Sequence, residues 1–219
     1  MFFKAVSGNF SSAQPCNGAV LRTGAVVRAE VTAAELADSV LARCVSGDPE
    51  AFRAFVERYE VAVFALVSRL VGRGPHVEDL AQETFLRAFR AFPQFDLAGA
   101  ARVSTWLLTI GTHVARDHWR KGSRARAHAQ DLAVAVRAER LVPSPEHDAV
   151  RRELADAIQA AAAELPDEQR AAFVLSEFHD FSSAEIASAL GIPENTVKTR
   201  IFRARQKLAA ALSTYKDQL

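Results

Sequence analysis

Cysteine is nearly missing from this chain, whose 219 residues contain only two, Cys16 and Cys44. They lie far apart and match neither a metal-ligand spacing nor the paired pattern of a disulfide framework. A disulfide-stabilised secreted domain and a cysteine-based zinc module are therefore excluded. We expect a protein of the reducing cytoplasm.

Long apolar runs are also missing. No stretch reaches the roughly 20 apolar residues that span a bilayer, and the amino-terminal residues lack an apolar segment followed by a cleavage site. The sequence therefore predicts neither membrane insertion nor a secretory signal.

The sequence also lacks a Gly-rich phosphate loop and a nucleophile motif. His113, Asp117 and His118 come nearest to a metal-ligand set, but His118 falls off the line of the other two on a helix. We predict no catalytic residue, no metal ligand and no cofactor, and hence no enzyme.

The overall charge is almost balanced, with 27 Lys and Arg residues against 26 Asp and Glu residues, so charge must be organised by segment. Residues 1–30 contain no acid before Glu30 and show no helical or strand period. We predict a disordered amino-terminal extension. Because organised sequence begins at Val31, we hypothesise that this extension is not part of the natural product.

The carboxy-terminal part has the pattern of a helix-turn-helix. Ser182 and Glu185 have the spacing of a capping box, Gly191 can take the left-handed turn conformation, and Pro193 suits the start of a second helix. The second helix has an inward apolar stripe and a strongly cationic remainder. The stripe contains Val197, Ile201, Ala204 and Leu208, and the cations are Lys198, Arg200, Arg203, Arg205 and Lys207. This charge, behind a Gly turn, indicates DNA binding rather than an ordinary solvated helix face.

Helical periodicity also runs from Glu35 to about Phe92, with breaks at 47–49 and 72–75. The helix at about 77–92 has a core side and an opposite side that is acidic and amide-rich. The opposite side contains Asp79, Gln82, Glu83, Leu86 and Arg90. A leucine within such a face is a modest indication of a protein interface, although single exposed leucines are common.

A further helix is predicted at about 105–121, with Ser104 as its amino-terminal cap. One stripe of this helix contains Trp106, Thr109, His113, Arg116 and Arg120. A ring that stacks bases beside cations that neutralise phosphates suits single-stranded or distorted nucleic acid. In the alternative interpretation, Trp106 completes the core and the arginines are solvated.

No strand alternation and no repeat is present, so the predicted fold class is all-α with two helical domains. We place them at 31–121 and 149–219, joined by a flexible linker at 122–148 that contains Pro143 and Pro145. A short helix at about 132–141 is possible within the linker.

These segments resemble a known family. Residues 79–89 read DLAQETFLRAF, residues 95–96 read FD and residues 104–110 read STWLLTI. Together they resemble region 2 of extracytoplasmic-function (ECF) sigma factors. Residues 165–170, 185–191 and 197–205 resemble region 4 of the same family, in the family's order.

The resemblance implies binding to a coiled-coil of the largest subunit of core RNA polymerase, to promoter DNA and to an anti-sigma factor. The implied polymerase contacts are Asp79, Gln82, Glu83 and Leu86. The implied contacts to the −10 element are Phe95, Asp96, Trp106, His113, Arg116 and Arg120. For the −35 element the implied reading residues are Lys198, Thr199, Phe202 and Arg203, with Arg200 and Arg205 on phosphates or in packing.

Three departures bear on the −10 preference: His113 replaces a common asparagine, Val103 replaces an aromatic residue, and the loop from Phe95 to Ser104 is slightly longer than usual in the family. The alternative function is a one-component helix-turn-helix regulator that binds an operator as a dimer. That alternative gives no use for the acidic face or for the Trp106 stripe.

Overall fold

The structure is a computed structural model that describes residues 35–72, 74–99, 102–128 and 160–211. The described residues form helices and no strand, which confirms the all-α prediction. The helices are α1 (Asp38–Val45), α2 (Pro49–Val71), α3 (His76–Ala91), α4 (Val103–His128), α5 (Asp167–His179), α6 (Ser183–Leu190) and α7 (Glu194–Ala211). A 3₁₀ turn, Phe92–Gln94, follows α3. The predicted extension at 1–30 and the possible helix at 132–141 lie outside the described residues.

The predicted break at 47–49 is the amino-terminal cap of α2. Asp48 accepts hydrogen bonds through Oδ1 from the backbone N–H groups of Glu50 at 2.9 Å and Ala51 at 3.4 Å. Pro49 occupies the first helical position, where its missing N–H has no helical partner to lose. Gly47 takes a φ of 80°, which glycine adopts without steric cost.

The core of the first module, α1 to α4, is built around α2, which packs on the other three helices. Phe55 and Phe92 are fully buried, and their ring centroids lie 4.9 Å apart in an edge-to-face arrangement. Such pairs contribute about 0.5–1.5 kcal/mol beyond the buried area. The predicted apolar stripe of α2 therefore forms the centre of this module.

The predicted cap of α4 is wrong. The helix begins at Val103, so Ser104 lies inside its first turn. The Ser104 hydroxyl instead donates to Glu35 Oε1 at 2.5 Å, while Tyr59 Oη donates to Glu35 Oε2 at 2.6 Å. Glu35 thus ties the segment before α1 to α2 and α4. The helix also continues to His128, past the predicted end at 121.

The second module, α5 to α7, has the predicted helix-turn-helix caps. Ser182 N–H donates to Glu185 Oε2 at 2.8 Å and Glu185 N–H donates to Ser182 Oγ at 3.2 Å, so the capping box is confirmed. Gly191 takes the left-handed conformation with a φ of 66°. The predicted inward stripe of α7 is buried as well.

The two modules pack against each other, with α2 on α5 and α4 on α6. Buried apolar residues from both modules belong to one continuous cluster. Arg170 of α5 donates to Leu70 O of α2 at 2.7 Å. It also donates to Ala162 O at 2.9 Å and to Ala163 O at 2.6 Å, so the same guanidinium satisfies carbonyl groups at the end of the helical segment 160–163.

Candidate protein and nucleic-acid interfaces

The outer face of α3 brings together four predicted polymerase-binding residues. Asp79, Gln82, Glu83 and Leu86 recur at intervals of three, four and seven residues from Asp79, which places them on one side of a helix. Asp79 is exposed and the other three are half-buried. The opposite side of α3 is buried.

A charge network fixes the end of this face. Arg87 Nε donates to Glu83 Oε1 at 2.8 Å, and Arg87 Nη1 donates to Asp117 Oδ2 of α4 at the same distance. The carboxylates of Asp117 and Glu83 raise the pKa of Arg87 above its ordinary value. The shared guanidinium therefore holds the Glu83 carboxylate in place and connects α3 to α4.

Phe95 and Trp106 lie together at one end of the predicted −10 surface. The Trp106 ring packs 5.0 Å from the Phe92 ring and 4.9 Å from the Phe95 ring, measured between centroids. Trp106 is half-buried, so it both extends the core and keeps part of its ring accessible. Asp96 is exposed and accepts a hydrogen bond from Ala98 N–H at 3.0 Å, which shapes the loop.

His113 and Arg116, further along the same stripe, contact the second module. His113 Nε2 lies 2.8 Å from Ala189 O, and Arg116 Nη1 donates to Leu190 O at 3.1 Å. Because a carbonyl oxygen only accepts, His113 Nε2 carries the proton in this contact. Arg120 is exposed. The structure thus separates the stripe into an aromatic end, a middle that is hydrogen-bonded to α6 although His113 stays exposed, and an exposed end.

The surface of α7 divides the predicted −35 residues into two groups. Phe202 is 60% exposed, and Lys198, Thr199 and Arg203 are exposed beside it, on the side away from the buried stripe. The other two, Arg200 and Arg205, form ion pairs with Glu168 and Glu177 of α5.

Two residues at the contact between modules, Arg69 of α2 and His179 of α5, were missed by sequence reasoning. The Arg69 guanidinium carbon lies 4.5 Å from the centre of the Phe178 ring. Burial, with a smaller contribution from the charge of Arg69, lowers the pKa of His179 to about 3. Helical periodicity cannot predict this contact, because Arg69 lies more than 100 residues before Phe178 and His179 in the sequence.

Over the part of the chain that the structure describes, no group of three or more His, Cys, Asp or Glu side chains has the arrangement of a metal site. His76 and His118 do stack, with ring centroids 5.0 Å apart. The pKa of His118 lies below its ordinary value, mainly because the ring is partly buried and to a smaller extent because of the charges of His76 and Lys121. Within the same described residues, no helix has the length and apolar character of a membrane span.

Comparison with known proteins gives two family matches. The family model described as Sigma-70 region 2 matches residues 55–125, and the one described as Sigma-70, region 4 matches residues 155–208. The first match contains α3 and most of α4, and the second contains all of α5 and α6 and most of α7.

Individual relatives agree with these matches. The ECF RNA polymerase sigma factor SigW of Bacillus subtilis is 34% identical over 174 residues, which is 76% of this chain and 91% of SigW. The RNA polymerase sigma-H factor of Pseudomonas aeruginosa is 32% identical over 176 residues, 78% of this chain and 90% of the relative.

Solved structures show the same fold. CnrH, solved in complex with the cytosolic domain of CnrY, matches with a TM-score of 0.57 and 27% identity over 81% of this chain and 97% of CnrH. The sigma factor RpoE of Bartonella quintana, solved with the anti-sigma factor NepR, matches with a TM-score of 0.61 and 23% identity over 74% of this chain and 96% of RpoE.

These matches do not favour the alternative of a one-component regulator, because they include the first module as well as the helix-turn-helix. Two sigma-70 regions in order and relatives that align over nine-tenths of their length lead to one conclusion. The chain belongs to the ECF family of RNA polymerase sigma factors.

Proposed function

We propose that this sigma factor uses three separate surfaces to direct promoter-specific initiation: α3 for core polymerase, the Phe95 loop and α4 for the −10 element, and α7 for the −35 element. The observation that carries this proposal is the division of the α7 surface into exposed and paired residues. It leaves a small outward face of mixed chemistry on the second helix of a helix-turn-helix, where such proteins read the major groove.

The α7 face suits direct reading of base edges. Lys198 and Arg203 can donate to guanine acceptors, Thr199 offers a hydroxyl, and the exposed Phe202 ring can contact a thymine methyl group. Arg200 and Arg205 are anchored to α5 by their ion pairs, so they suit phosphate contacts at the groove edge. Phosphate contacts set orientation, whereas base contacts set sequence preference.

The α3 face suits a basic partner surface. The exposed Asp79 carboxylate and the Gln82 and Glu83 side chains can accept hydrogen bonds from arginine or lysine, and charge-assisted bonds of this kind are the stronger ones. Leu86 adds an apolar contact at the centre. We assign this face to the coiled-coil of the largest polymerase subunit.

The −10 surface combines a stacking platform with cations. Phe95 and Trp106 would hold an unstacked base, and Arg116 and Arg120 would neutralise the strand backbone. Extruding a base costs a few kcal/mol, and this cost makes capture depend on the sequence that melts. Asp96 and His113 would contribute polar contacts to the captured strand.

An anti-sigma factor is the expected protein inhibitor, since RpoE was solved with the anti-sigma factor NepR and CnrH was solved with the cytosolic domain of CnrY. The chain then works where the polymerase and the chromosome are, in the cytoplasm, as a specificity subunit without a catalytic site of its own.

Transcription from purified components tests this proposal. Core polymerase alone, core polymerase with the chain, and the chain alone are incubated with fragmented genomic DNA from the source organism, and the transcripts are sequenced. We expect new transcripts, with common −10 and −35 sequences upstream, only when both proteins are present. If the chain binds DNA but yields no new start site, the sigma proposal is wrong and an operator-binding role is favoured.

A further inference from the structure

Asp117 of α4 is connected to the α3 face through Arg87. Arg87 Nε donates to Glu83 Oε1 and Arg87 Nη1 donates to Asp117 Oδ2, each at 2.8 Å. The side chains of Glu83, Arg87 and Asp117 are 38%, 37% and 43% exposed. All three are therefore within reach of a partner that binds the α3 face, although Asp117 belongs to another helix.

Apolar packing, rather than these ion pairs, holds α3 and α4 together. Ala81 and Ala88 of α3 are fully buried. Thr84 of α3 lies so near Gly111 of α4 that a Cβ added to the glycine would be 3.4 Å from Thr84 Cγ2. Partly exposed ion pairs add little to folding, because water screens their charges. The value of the network therefore lies mainly in what it does to the surface.

Arg87 is shared between the two carboxylates. The hydrogen bond to Asp117 is the largest cause of its raised pKa, followed by the hydrogen bond to Glu83. Two carboxylates and one guanidinium leave one negative charge on the group. Because Arg87 is drawn toward α4 by Asp117, it cannot turn fully onto Glu83.

The pattern of bonds keeps the Glu83 carboxylate partly open. Arg87 uses one oxygen of each carboxylate, Oε1 of Glu83 and Oδ2 of Asp117. A carboxylate accepts through both oxygens, so Glu83 Oε2 can accept from a further donor. Without Asp117, Arg87 could bind both oxygens of Glu83 in a two-bond pair. Such a pair is neutral and occupies the acceptors that a basic partner needs.

We propose that Asp117 is a positioning residue for polymerase binding: it holds Arg87 toward α4 and thereby keeps Glu83 negative and open to a basic side chain of the polymerase. This inference rests on the proposed function, because it takes the α3 face as the polymerase surface. Asp117 does not contact the polymerase in this arrangement. It acts through Arg87.

The substitution Asp117→Asn tests the role, because asparagine keeps the size of the side chain and removes its charge. Asp117→Glu restores a carboxylate at the same position. Glu57→Gln is the matched control: it removes one partly exposed carboxylate from a glutamate–arginine pair on α2, with the same change in total charge.

Binding of the full chain to immobilised core polymerase is measured by biolayer interferometry at low and at high salt. We expect Asp117→Asn to raise the dissociation constant roughly two- to fivefold at low salt, the range for one exposed ion pair. The difference should shrink at high salt, because salt screens exposed charges. Asp117→Glu and Glu57→Gln should bind like the parent. All variants should melt within about 4 °C of the parent, since the fold does not depend on the network.

The Arg87→Gln background separates an effect through Arg87 from a direct one. Once Arg87 is replaced, Asp117→Asn should cause no further loss of affinity, because the residue through which it acts is gone. An equal loss in both backgrounds would show that Asp117 contacts the polymerase itself or acts by its charge alone, and would overturn the positioning role.

Parent-like binding by Asp117→Asn, beside a clear loss in Glu83→Lys, would overturn the inference as well. Failure of the proposed function is a separate result. Glu83→Lys would then bind core polymerase as tightly as the parent does, which would show that the α3 face is not the polymerase surface, and the inference would fall with it.

Discussion

The arginine residues on α7 differ in whether they form ion pairs with α5, and this difference predicts different roles in DNA binding. Arg200 and Arg205 are anchored to acidic side chains of α5, whereas no carboxylate of the described residues pairs with Arg203. An arginine that is free to turn can place both ends of its guanidinium on a guanine edge. An anchored one can offer only the remaining donors, which suits a phosphate.

We predict that Arg203→Ala weakens −35 binding by about 1–3 kcal/mol and relaxes the preference at one base position. Arg200→Ala should weaken binding evenly across sequences and lower the slope of log affinity against log salt concentration by about one. Binding to a library of duplexes at several salt concentrations measures both effects. Equal loss of sequence preference in the two variants would contradict the division of the α7 surface.

At the same scale, Glu83 is the carboxylate of the α3 face that the structure holds most firmly. We predict that Glu83→Lys weakens polymerase binding by roughly 10–100-fold, since one charge-assisted hydrogen bond is worth about 1.5–3 kcal/mol. Co-purification with core polymerase measures this loss. Glu57→Lys is the control, because it breaks another glutamate–arginine pair of the same spacing on α2 and should leave co-purification unchanged.

Helix ends show which elements sequence reasoning can locate. The capping box of α6 and the left-handed Gly191 depend on residues within about four positions of one another, so both were predicted. At 47–49 only a break was predicted, and the structure shows that Asp48 caps α2 there. Ser104 failed as a predicted cap because its partner, Glu35, lies 69 residues away and no local pattern announces it. Caps formed by neighbouring residues can be predicted from the sequence, whereas a hydrogen bond to a residue far along the chain, such as Ser104 to Glu35, cannot.

The capping box gives a prediction at the scale of the element. Ser182→Ala removes the side-chain acceptor for Glu185 N–H and should destabilise the second module by about 1 kcal/mol. For a chain of this size, thermal unfolding should shift down by roughly 2–4 °C. Ser188→Ala makes the same chemical change at an exposed position inside α6 and should leave the melting temperature unchanged or slightly raised. Equal shifts in both variants would rule out a capping role.

At the scale of the whole molecule, the contact between the two modules was not predicted from the sequence. The stripe on α4 was predicted to face nucleic acid or solvent, yet His113 and Arg116 meet carbonyls 76 and 74 residues further along the chain. A stripe of cations at helical spacing has the same sequence pattern whether it contacts nucleic acid, water or the end of another helix. The sequence gives the residue types of the α4 stripe, but it does not show that the end of α6 contacts them.

Burial of His179 makes the stability of the folded chain depend on pH. Its pKa is held at about 3 in the folded state by burial and by the charge of Arg69, against 6.5 when exposed. The folded state therefore favours the neutral ring, so this stability is complete above pH 6.5 and is lost progressively as pH falls toward 3. Moving from pH 7 to pH 5 should cost up to about 2 kcal/mol.

Urea unfolding at several pH values measures this loss. His179→Leu should flatten the dependence between pH 7 and pH 5, while Phe173→Leu, a change in a nearby apolar residue that does not titrate, should keep it. An unchanged pH profile in His179→Leu would show that other groups are responsible.

The exposed Phe202 ring of α7 and the half-buried Trp106 ring of α4 lie on different modules. If they act as proposed, the first contacts intact double helix and the second holds a base that has left the stack. Contact with the upstream element then comes first in time and retention of the downstream strand second, because a strand can be retained only after it has melted.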